Sequence, residues 1–268
     1  VNPNKEQHCP GYFYYGNRKF NCWKQEGHGS LNMESAIKHS CNVYFYKTIK
    51  DIDVEKVANL ARSLGLGVGV KEYDDLLNDF NYAAGNIASP KWKRRFKHEL
   101  WQGGDSINFA IGQGYSLINC FQLAVMVSRL ASGKNIKPRF VLSPNEKSYD
   151  DIEAIPIHEN FLNIVRNGMF KATNEQGGTS FMSKLNFDDF KMCGKTGTVQ
   201  TVSRFIDKNA KREDFENTHG IFVGFAPHHK PEYAIAIINE HGGFGSSSAA
   251  PIAKNIMNFI KQNKFTWS

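Results

Sequence analysis

The alternation of apolar and polar positions divides the chain into a helical first two thirds and a strand-rich last third. Asn32 is placed to cap a short helix running to about Lys38, and a second helix extends from about Asn42 into Lys50. A third spans about Val54 to Leu64, with Gly65 positioned to stop it. Phe121 to Ala131 is amphipathic and ends at Ser132-Gly133, and Phe161 to Ala172 repeats the helical period. The pattern then changes. Residues 190–200 and 219–227 read as strands, the second stopped by Pro227, and Tyr233 to Asn239 is almost wholly apolar, as in a buried strand. Ala249 to Ile260 closes the chain as a helix, with Ile252, Ile256 and Ile260 at helical spacing.

Between these elements the signal fades. Residues 1–30 are rich in Gly, aromatics, Cys and His without periodicity, and are expected to be loop or extended structure held by something other than a core. Residues 70–108 are expected to be irregular, and 201–217, with Lys208, Lys211 and Arg212, to be a loop. Helices first, then strands, then a closing helix predict an α+β fold of several layers: an antiparallel sheet flanked by helices, plus a helical lobe. The expected division is a stapled segment over 1–41, a mainly helical lobe over 42–185, and the sheet with its final helix over 186–268. There is no internal repeat and no low-complexity tract.

Composition narrows the picture. The chain has 268 residues, enough for a sizeable core, and no run of 18 apolar residues that could span a membrane. It begins at Val1 without a signal-like stretch, so an origin inside a longer protein is expected, with any anchor upstream. The net charge of +7 fits a solvated basic surface or attraction to anionic partners. Lys91 to His98 interleaves cations with aromatics, a pattern that can suit nucleic acid, but a single such stretch is weak and no nucleic acid partner is expected.

Five cysteines, an odd number in no compact pattern, argue against a full disulfide framework. Cys9, Cys22, His28 and Cys41 lie within the first 41 residues, and three thiolates with one imidazole make a tetrahedral zinc set. A Cys9–Cys22 disulfide with a buried Cys41 is the alternative. Cys120 and Cys193 read as small core residues.

The sharpest chemical motif is Lys195-Thr196-Gly197-Thr198 on a predicted strand, matched by Ser40-Cys41-Asn42 between two predicted helices. Further stretches join them: Gly27-His28-Gly29, Glu34 through Tyr46, Gly103-Gly104-Asp105, Ile111-Gly112-Gln113-Gly114-Tyr115, Phe222 through Pro227, and Glu240-His241-Gly242-Gly243. With these, the chain resembles the transpeptidase domain of class B penicillin-binding proteins, most like penicillin-binding protein 2, the cell-elongation member.

The resemblance implies a penicillin-binding/β-lactamase-like fold and a serine-type peptidoglycan D,D-transpeptidase that cross-links stem peptides and is acylated by β-lactams. It implies that Ser40 relays protons, Asn42 holds the substrate amide, and Lys195 supplies positive charge. Thr196 and Thr198 would bind the substrate carboxylate, Gly197 would let the donor peptide approach, and the Thr198 N–H would serve the oxyanion. It also implies zinc at Cys9, Cys22, His28 and Cys41, a D-Ala-D-Ala substrate, and a membrane glycosyltransferase and elongasome scaffold proteins as partners. The implied location is the periplasmic face of the bacterial inner membrane, anchored by a segment outside this chain.

The family's nucleophilic Ser-x-x-Lys lies some tens of residues before the Ser-x-Asn triplet. Ser35-Ala36-Ile37-Lys38 has that spacing but sits in the helix leading to Ser40, so the nucleophile is expected upstream of Val1 and the chain alone is expected to be inactive. Two other readings stay open: a non-catalytic, zinc-stapled module binding wall peptide or a morphogenesis partner, and a D,D-carboxypeptidase or β-lactamase-type hydrolase.

Overall fold

A computed structural model describes residues 2–69, 83–138, 149–200 and 218–263. The expected loop over 201–217 and the first part of the expected irregular stretch lie outside these residues. The chain forms two compact units: residues 1–36 with 41–164, and residues 37–40 with 165–268.

The first unit opens with four short strands, β1 (Gln7–Cys9), β2 (Tyr12–Tyr15), β3 (Arg18–Asn21) and β4 (Gly29–Leu31). β1 pairs antiparallel with β4, and β2 with β3 as a hairpin. The expectation that residues 1–30 hang on something other than a core needs correction. Cys9, Phe20, Cys22 and Leu31 are buried in one cluster with Val43, Tyr44, Tyr46 and Ile49. The strands are too short for a period-2 pattern to stand out, yet each places one residue inward.

Helix α1 (Met33–Lys38) is capped by Asn32, whose side chain accepts from the Ser35 N–H at 3.0 Å. Helix α2 (Asn42–Ile49) buries Val43, Tyr44, Tyr46 and Ile49. Each large side chain removed from water is worth about 1.5–3 kcal/mol. Helix α3 (Val54–Ser63) starts at the Asp53 cap and ends as the sequence predicts. Gly65 adopts φ +100, its N–H bonds Arg62 O, and the Leu66 N–H bonds Ala61 O, the paired closure that a left-handed glycine makes possible.

The region expected to be irregular contains two helices, α4 (Pro90–Lys97) and α5 (Gly103–Phe109). In α4 five basic residues mask the period, and the start signal is local: Ser89 caps the Trp92 N–H and Pro90 takes the first turn. Helix α6 (Cys120–Ser132) buries Gln122, which bonds Gly67 N, Val68 O and Ala84 O and so ties two loop segments to the helix.

Helix α7 (Glu159–Asn174) leads into the second unit. There β5 (Cys193–Gln200), β6 (Thr218–Ala226) and β7 (Tyr233–Asn239) form an antiparallel sheet in that order. Lys195 pairs with Val223, Gly197 with Ile221, and Phe222 with Ile237. Helix α8 (Ala249–Asn263) covers the sheet. Its buried stripe is Ala249, Ala250, Ala253 and Met257, packed on Leu185, Phe190, Met192 and Phe222. This corrects the expected stripe: Ile260 packs partly, but Ile252 and Ile256 are exposed. Small residues let the helix axis approach the sheet, so the closest face is the alanine face rather than the isoleucine one. Helices with antiparallel sheets confirm the α+β class.

Candidate active site and metal centre

In the second unit, Ser40 ends a short loop and holds φ +52, a left-handed conformation uncommon for serine. The chain following α7 fixes it there. Lys38 Nζ bonds Glu175 Oε2 at 2.8 Å, His39 Nδ1 lies 3.1 Å from Gly177 O, and the Thr179 N–H bonds Lys38 O at 3.3 Å. The two residues before Ser40 are thus held by the stretch from Glu175 to Thr179.

The Lys195 ammonium donates to Ser40 Oγ and, at 3.0 Å, to Thr196 O. Ser40 Oγ donates to Thr179 Oγ1 at 3.2 Å, and Thr196 Oγ1 donates to the same atom at 3.3 Å. One ammonium and three hydroxyls therefore form a continuous chain at the β5 edge. Burial of the amine lowers the Lys195 pKa from 10.5 to about 8, because a desolvated cation loses its hydration. Thr198 Oγ1 accepts from Gly245 N at 3.4 Å, which ties the loop after β7 to the same strand.

Phe222 lies over Gly194 and Gly224, which face each other in the register, and a Cβ at either glycine would meet its ring or nearby backbone. At Gly197 a Cβ would meet only the Ile221 side chain, at 3.3 Å. Gly194 is thus required by packing, whereas at Gly197 the close contact is with one side chain only.

Among the residues singled out in the sequence, Ser40, Lys195 and Thr196 meet in one hydrogen-bonded group, with Gly197 and Thr198 next along β5. Asn42 belongs to the other unit, where it opens α2 and its side chain lies beside Tyr46. Sequence reasoning missed Thr179. Its only signal is a Gly-Gly-Thr turn after a helix, which has no obvious chemistry until the fold places it between Ser40 and Thr196. Ser35 does not act with Lys38: that lysine is engaged by Glu175, and no hydrogen bond joins the two among the described residues.

The metal candidate lies in the first unit. Cys9 ends β1, Cys22 follows β3, His28 precedes β4, and Cys41 caps α2. Backbone contacts gather them. The His28 N–H bonds Cys9 O at 3.1 Å, and the Cys22 N–H bonds Gly11 O at 2.8 Å. Gly27 at φ +83 runs so close to Cys9 and Pro10 that no side chain fits there, which explains the first glycine of Gly-His-Gly.

The four ligand atoms all lie within 4.8 Å of one another, with His28 Nδ1 3.7 Å from Cys9 Sγ and 3.5 Å from Cys22 Sγ. Ligand atoms about 2.0–2.3 Å from a tetrahedral ion lie roughly 3.5–3.8 Å apart, so the residues fit such an ion. All five cysteines are free, so the Cys9–Cys22 disulfide is not formed. The thiol chemistry also fits a metal. The Cys41 thiol and the N–H groups of Val43, Lys24 and Asn42 stabilise a Cys22 thiolate and pull its pKa down to about 4 against the effect of burial. Cys41 holds the shared proton and is pushed up, by that bond first and by burial second. Two of those N–H groups open α2, where the helix dipole adds to the effect.

Cys193, also expected to be a core residue, is fully buried on β5, with its thiol 3.0 Å from His228 Nδ1. Burial raises its pKa and marks it as inert.

Comparison with known proteins adds the family. The family model described as "Penicillin binding protein transpeptidase domain" matches residues 1–258. The chain is 28% identical over 278 residues to "Peptidoglycan D,D-transpeptidase MrdA" of Haemophilus influenzae, covering 97% of this chain and 41% of that protein. It is 31% identical over 264 residues to the protein of the same name in Acinetobacter baumannii, covering 93% and 38%. Among solved structures, the complex between penicillin-binding protein PBP2 and MreC from Helicobacter pylori aligns with a TM-score of 0.83 at 27% identity, covering 99% of this chain and 46% of that one. The chain thus spans about two-fifths of the length of the curated relatives it matches. With its fold, its Lys-Thr-Gly strand and its Ser-x-Asn loop matched along nearly its whole length, the chain belongs to the penicillin-binding protein transpeptidase domain family.

Proposed function

We propose that this chain forms the substrate-anchoring and proton-relaying part of a peptidoglycan D,D-transpeptidase that cross-links stem peptides through a serine acyl-enzyme and is acylated by β-lactams. The hydrogen-bonded chain from Lys195 through Ser40 and Thr179 to Thr196 carries the reading. A D-Ala-D-Ala terminus ends in a carboxylate, and the Lys195 ammonium with the Thr196 and Thr198 hydroxyls is the chemistry that holds one. The donor peptide lies along the β5 edge above Gly197, as an added strand.

A serine hydroxyl gives its proton to the lysine of its own Ser-x-x-Lys and its oxygen attacks the penultimate carbonyl, while the Thr198 N–H stabilises the oxyanion, a donor of the kind worth about 3–4 kcal/mol. Collapse breaks the amide C–N bond. The leaving D-alanine nitrogen takes a proton from Ser40, and Lys195 replenishes that proton. The acceptor amine then attacks the ester, passes a proton back to Ser40 and Lys195, forms the cross-link as the ester C–O bond breaks, and releases the serine, which takes its proton back from the lysine that held it. Asn42 is assigned to the substrate amide. The nucleophile is assigned to no residue of this chain, since the only Ser-x-x-Lys spacing is that of Ser35 and Lys38.

Zinc is the metal assigned to Cys9, Cys22, His28 and Cys41. Its role is structural, because four protein ligands leave no open position. Cys41 directly follows Ser40, so fixing one steadies the other. The proposed location is the periplasmic face of the inner membrane, with the anchor outside these residues. No helix among the described residues is long and apolar enough to cross a membrane. The Helicobacter pylori relative is seen in complex with MreC, and a scaffold of that kind is the proposed partner, beside a glycosyltransferase.

Labelling of the full-length protein with a fluorescent penicillin tests the reading. A covalent adduct is expected, reduced at least roughly 100-fold in Lys195→Ala and Ser40→Ala. No labelling of the wild type, or labelling of both variants equal to that of the wild type, overturns it.

A further inference from the structure

Helix α4 carries Lys91, Lys93, Arg94, Arg95 and Lys97 in eight residues, with no acidic residue among them. Lys93 alone is buried, its ammonium 2.8 Å from Asp105 and 3.3 Å from Glu99, so its charge is used to hold the helix in place. Arg94, Arg95 and Lys97 are exposed, and among the described residues none of them forms an ion pair.

A row of rings runs beside these cations. Phe96, Trp92 and Tyr115 follow one another with centroid separations of 5.8 and 6.0 Å and interplanar angles of 36° and 37°. Phe96 is 59% exposed and Tyr115 39%. The row is anchored at both ends. Lys93 Nζ lies 5.2 Å from the Tyr115 ring centre, the Arg95 guanidinium lies 5.3 Å from that of Phe96, and Asn86 Nδ2 bonds Tyr115 O at 2.8 Å. Exposed rings that are held in line and flanked by cations without an ion-pair partner among the described residues suit a recognition surface, since neither feature contributes to the core.

The surface calls for a repeating ligand with flat apolar faces and negative charge. A pyranose ring presents an apolar C–H face whose weakly positive hydrogens suit the negative face of an aromatic ring. Carboxylates suit the guanidinium groups. We infer that α4 and Tyr115 form a docking strip for the uncross-linked glycan strand of peptidoglycan. Its sugar faces rest on Phe96 and Tyr115, and its stem-peptide carboxylates face Arg94, Arg95 and Lys97. This rests on the transpeptidase reading, which favours a glycan over a single-stranded nucleic acid with similar stacking chemistry.

Co-sedimentation of the full-length protein with purified peptidoglycan tests it. Phe96→Ala and Arg94→Glu with Arg95→Glu are each expected to weaken binding at least about fivefold, with penicillin labelling unchanged. Phe96→Leu keeps apolar bulk without a π face, separates stacking from folding, and is expected to bind as poorly as Phe96→Ala. Stripping the stem peptides from the glycan should abolish the effect of the arginine substitutions and preserve that of Phe96. Variants that sediment like the wild type overturn the inference. So does displacement of peptidoglycan by single-stranded DNA or by anionic phospholipid vesicles at equal charge. If the wild type is not labelled by penicillin at all, the transpeptidase reading fails, while sedimentation still decides whether the strip binds.

Discussion

Thr179 accepts the Ser40 hydroxyl proton at 3.2 Å, from a turn 139 residues further along the chain. The same oxygen accepts from Thr196 at 3.3 Å, so one side chain sets the direction of two hydroxyls that belong to different motifs. Thr179→Val keeps the shape but removes the acceptor. Loss of a partner for a half-buried polar group costs about 1–3 kcal/mol, so penicillin acylation of the full-length protein should fall roughly tenfold or more. Thr179→Ser restores the hydroxyl and should recover most of the rate. Equal rates for the valine and serine variants would show that the contact is only packing.

The Lys195 amine sets a pH dependence. Its pKa falls from 10.5 to about 8 because charging it means desolvating a cation. Below about pH 8 the amine is charged and can anchor a carboxylate; above it that anchor is lost. The acylation rate of the full-length protein should therefore decline on an alkaline limb at or above pH 8, since a bound carboxylate pushes the pKa upward. Lys195→Arg should lose this limb, because a guanidinium stays charged throughout. Stability runs the other way. Between about pH 8 and 10.5 the unfolded chain holds more protons than the folded one, so this group makes the fold more stable as pH rises through that window. Thermal melts across the window for the wild type and Lys195→Met give the sign.

Much of this fold was legible because its signals are local. Gly65 closes α3, Asn32 caps α1, and Pro227 follows β6, and each acts within a turn of its own position. The Lys195, Thr196 and Ser40 group was legible through motif spacing. What stayed hidden depends on distant partners. Thr179 has no chemistry of its own, the helicity of α4 is masked by five cations, and the inward residues of β1 to β4 are set by tertiary packing.

Helix α8 measures the same gap. Its isoleucines mark the period, but the buried stripe is offset onto alanines. Met257→Ala should destabilise by about 2–5 kcal/mol, whereas Ile252→Ala, at a 40% exposed site, should stay within about 1 kcal/mol. Urea melts of the two variants would compare them directly.

Two glycines on β5 separate packing from function. Gly194→Ala drives a methyl group into the Phe222 ring, which is fully buried and cannot retreat. Overpacking of this kind costs about 1–3 kcal/mol, so the melting temperature should drop. Gly197→Ala meets only the Ile221 side chain, at a tight 3.3 Å that a small shift of that side chain relieves, and should cost less than Gly194→Ala. If the donor peptide lies against that strand edge, Gly197→Ala should nevertheless slow penicillin acylation. A Gly197→Ala protein that melts and acylates like the wild type would place the peptide elsewhere.

Cys41, one of the four residues proposed to hold zinc, directly follows Ser40 in the chain. Purified protein should contain about one zinc per chain, and Cys22→Ser or Cys41→Ser should lower that content sharply, because the remaining three ligands bind more weakly. Cys120→Ser, outside the cluster, should leave it unchanged. The cluster sits in the core with Phe20, Leu31 and Tyr44, so removing the ion leaves a buried thiolate without its counter-charge. Chelation should then lower the melting temperature by roughly 10 °C, the shift expected for a loss of a few kcal/mol in a chain of this size. Penicillin acylation should fall with it and return when zinc is restored. A metal-free protein with the wild-type melting temperature would mean that the four side chains are held by packing alone.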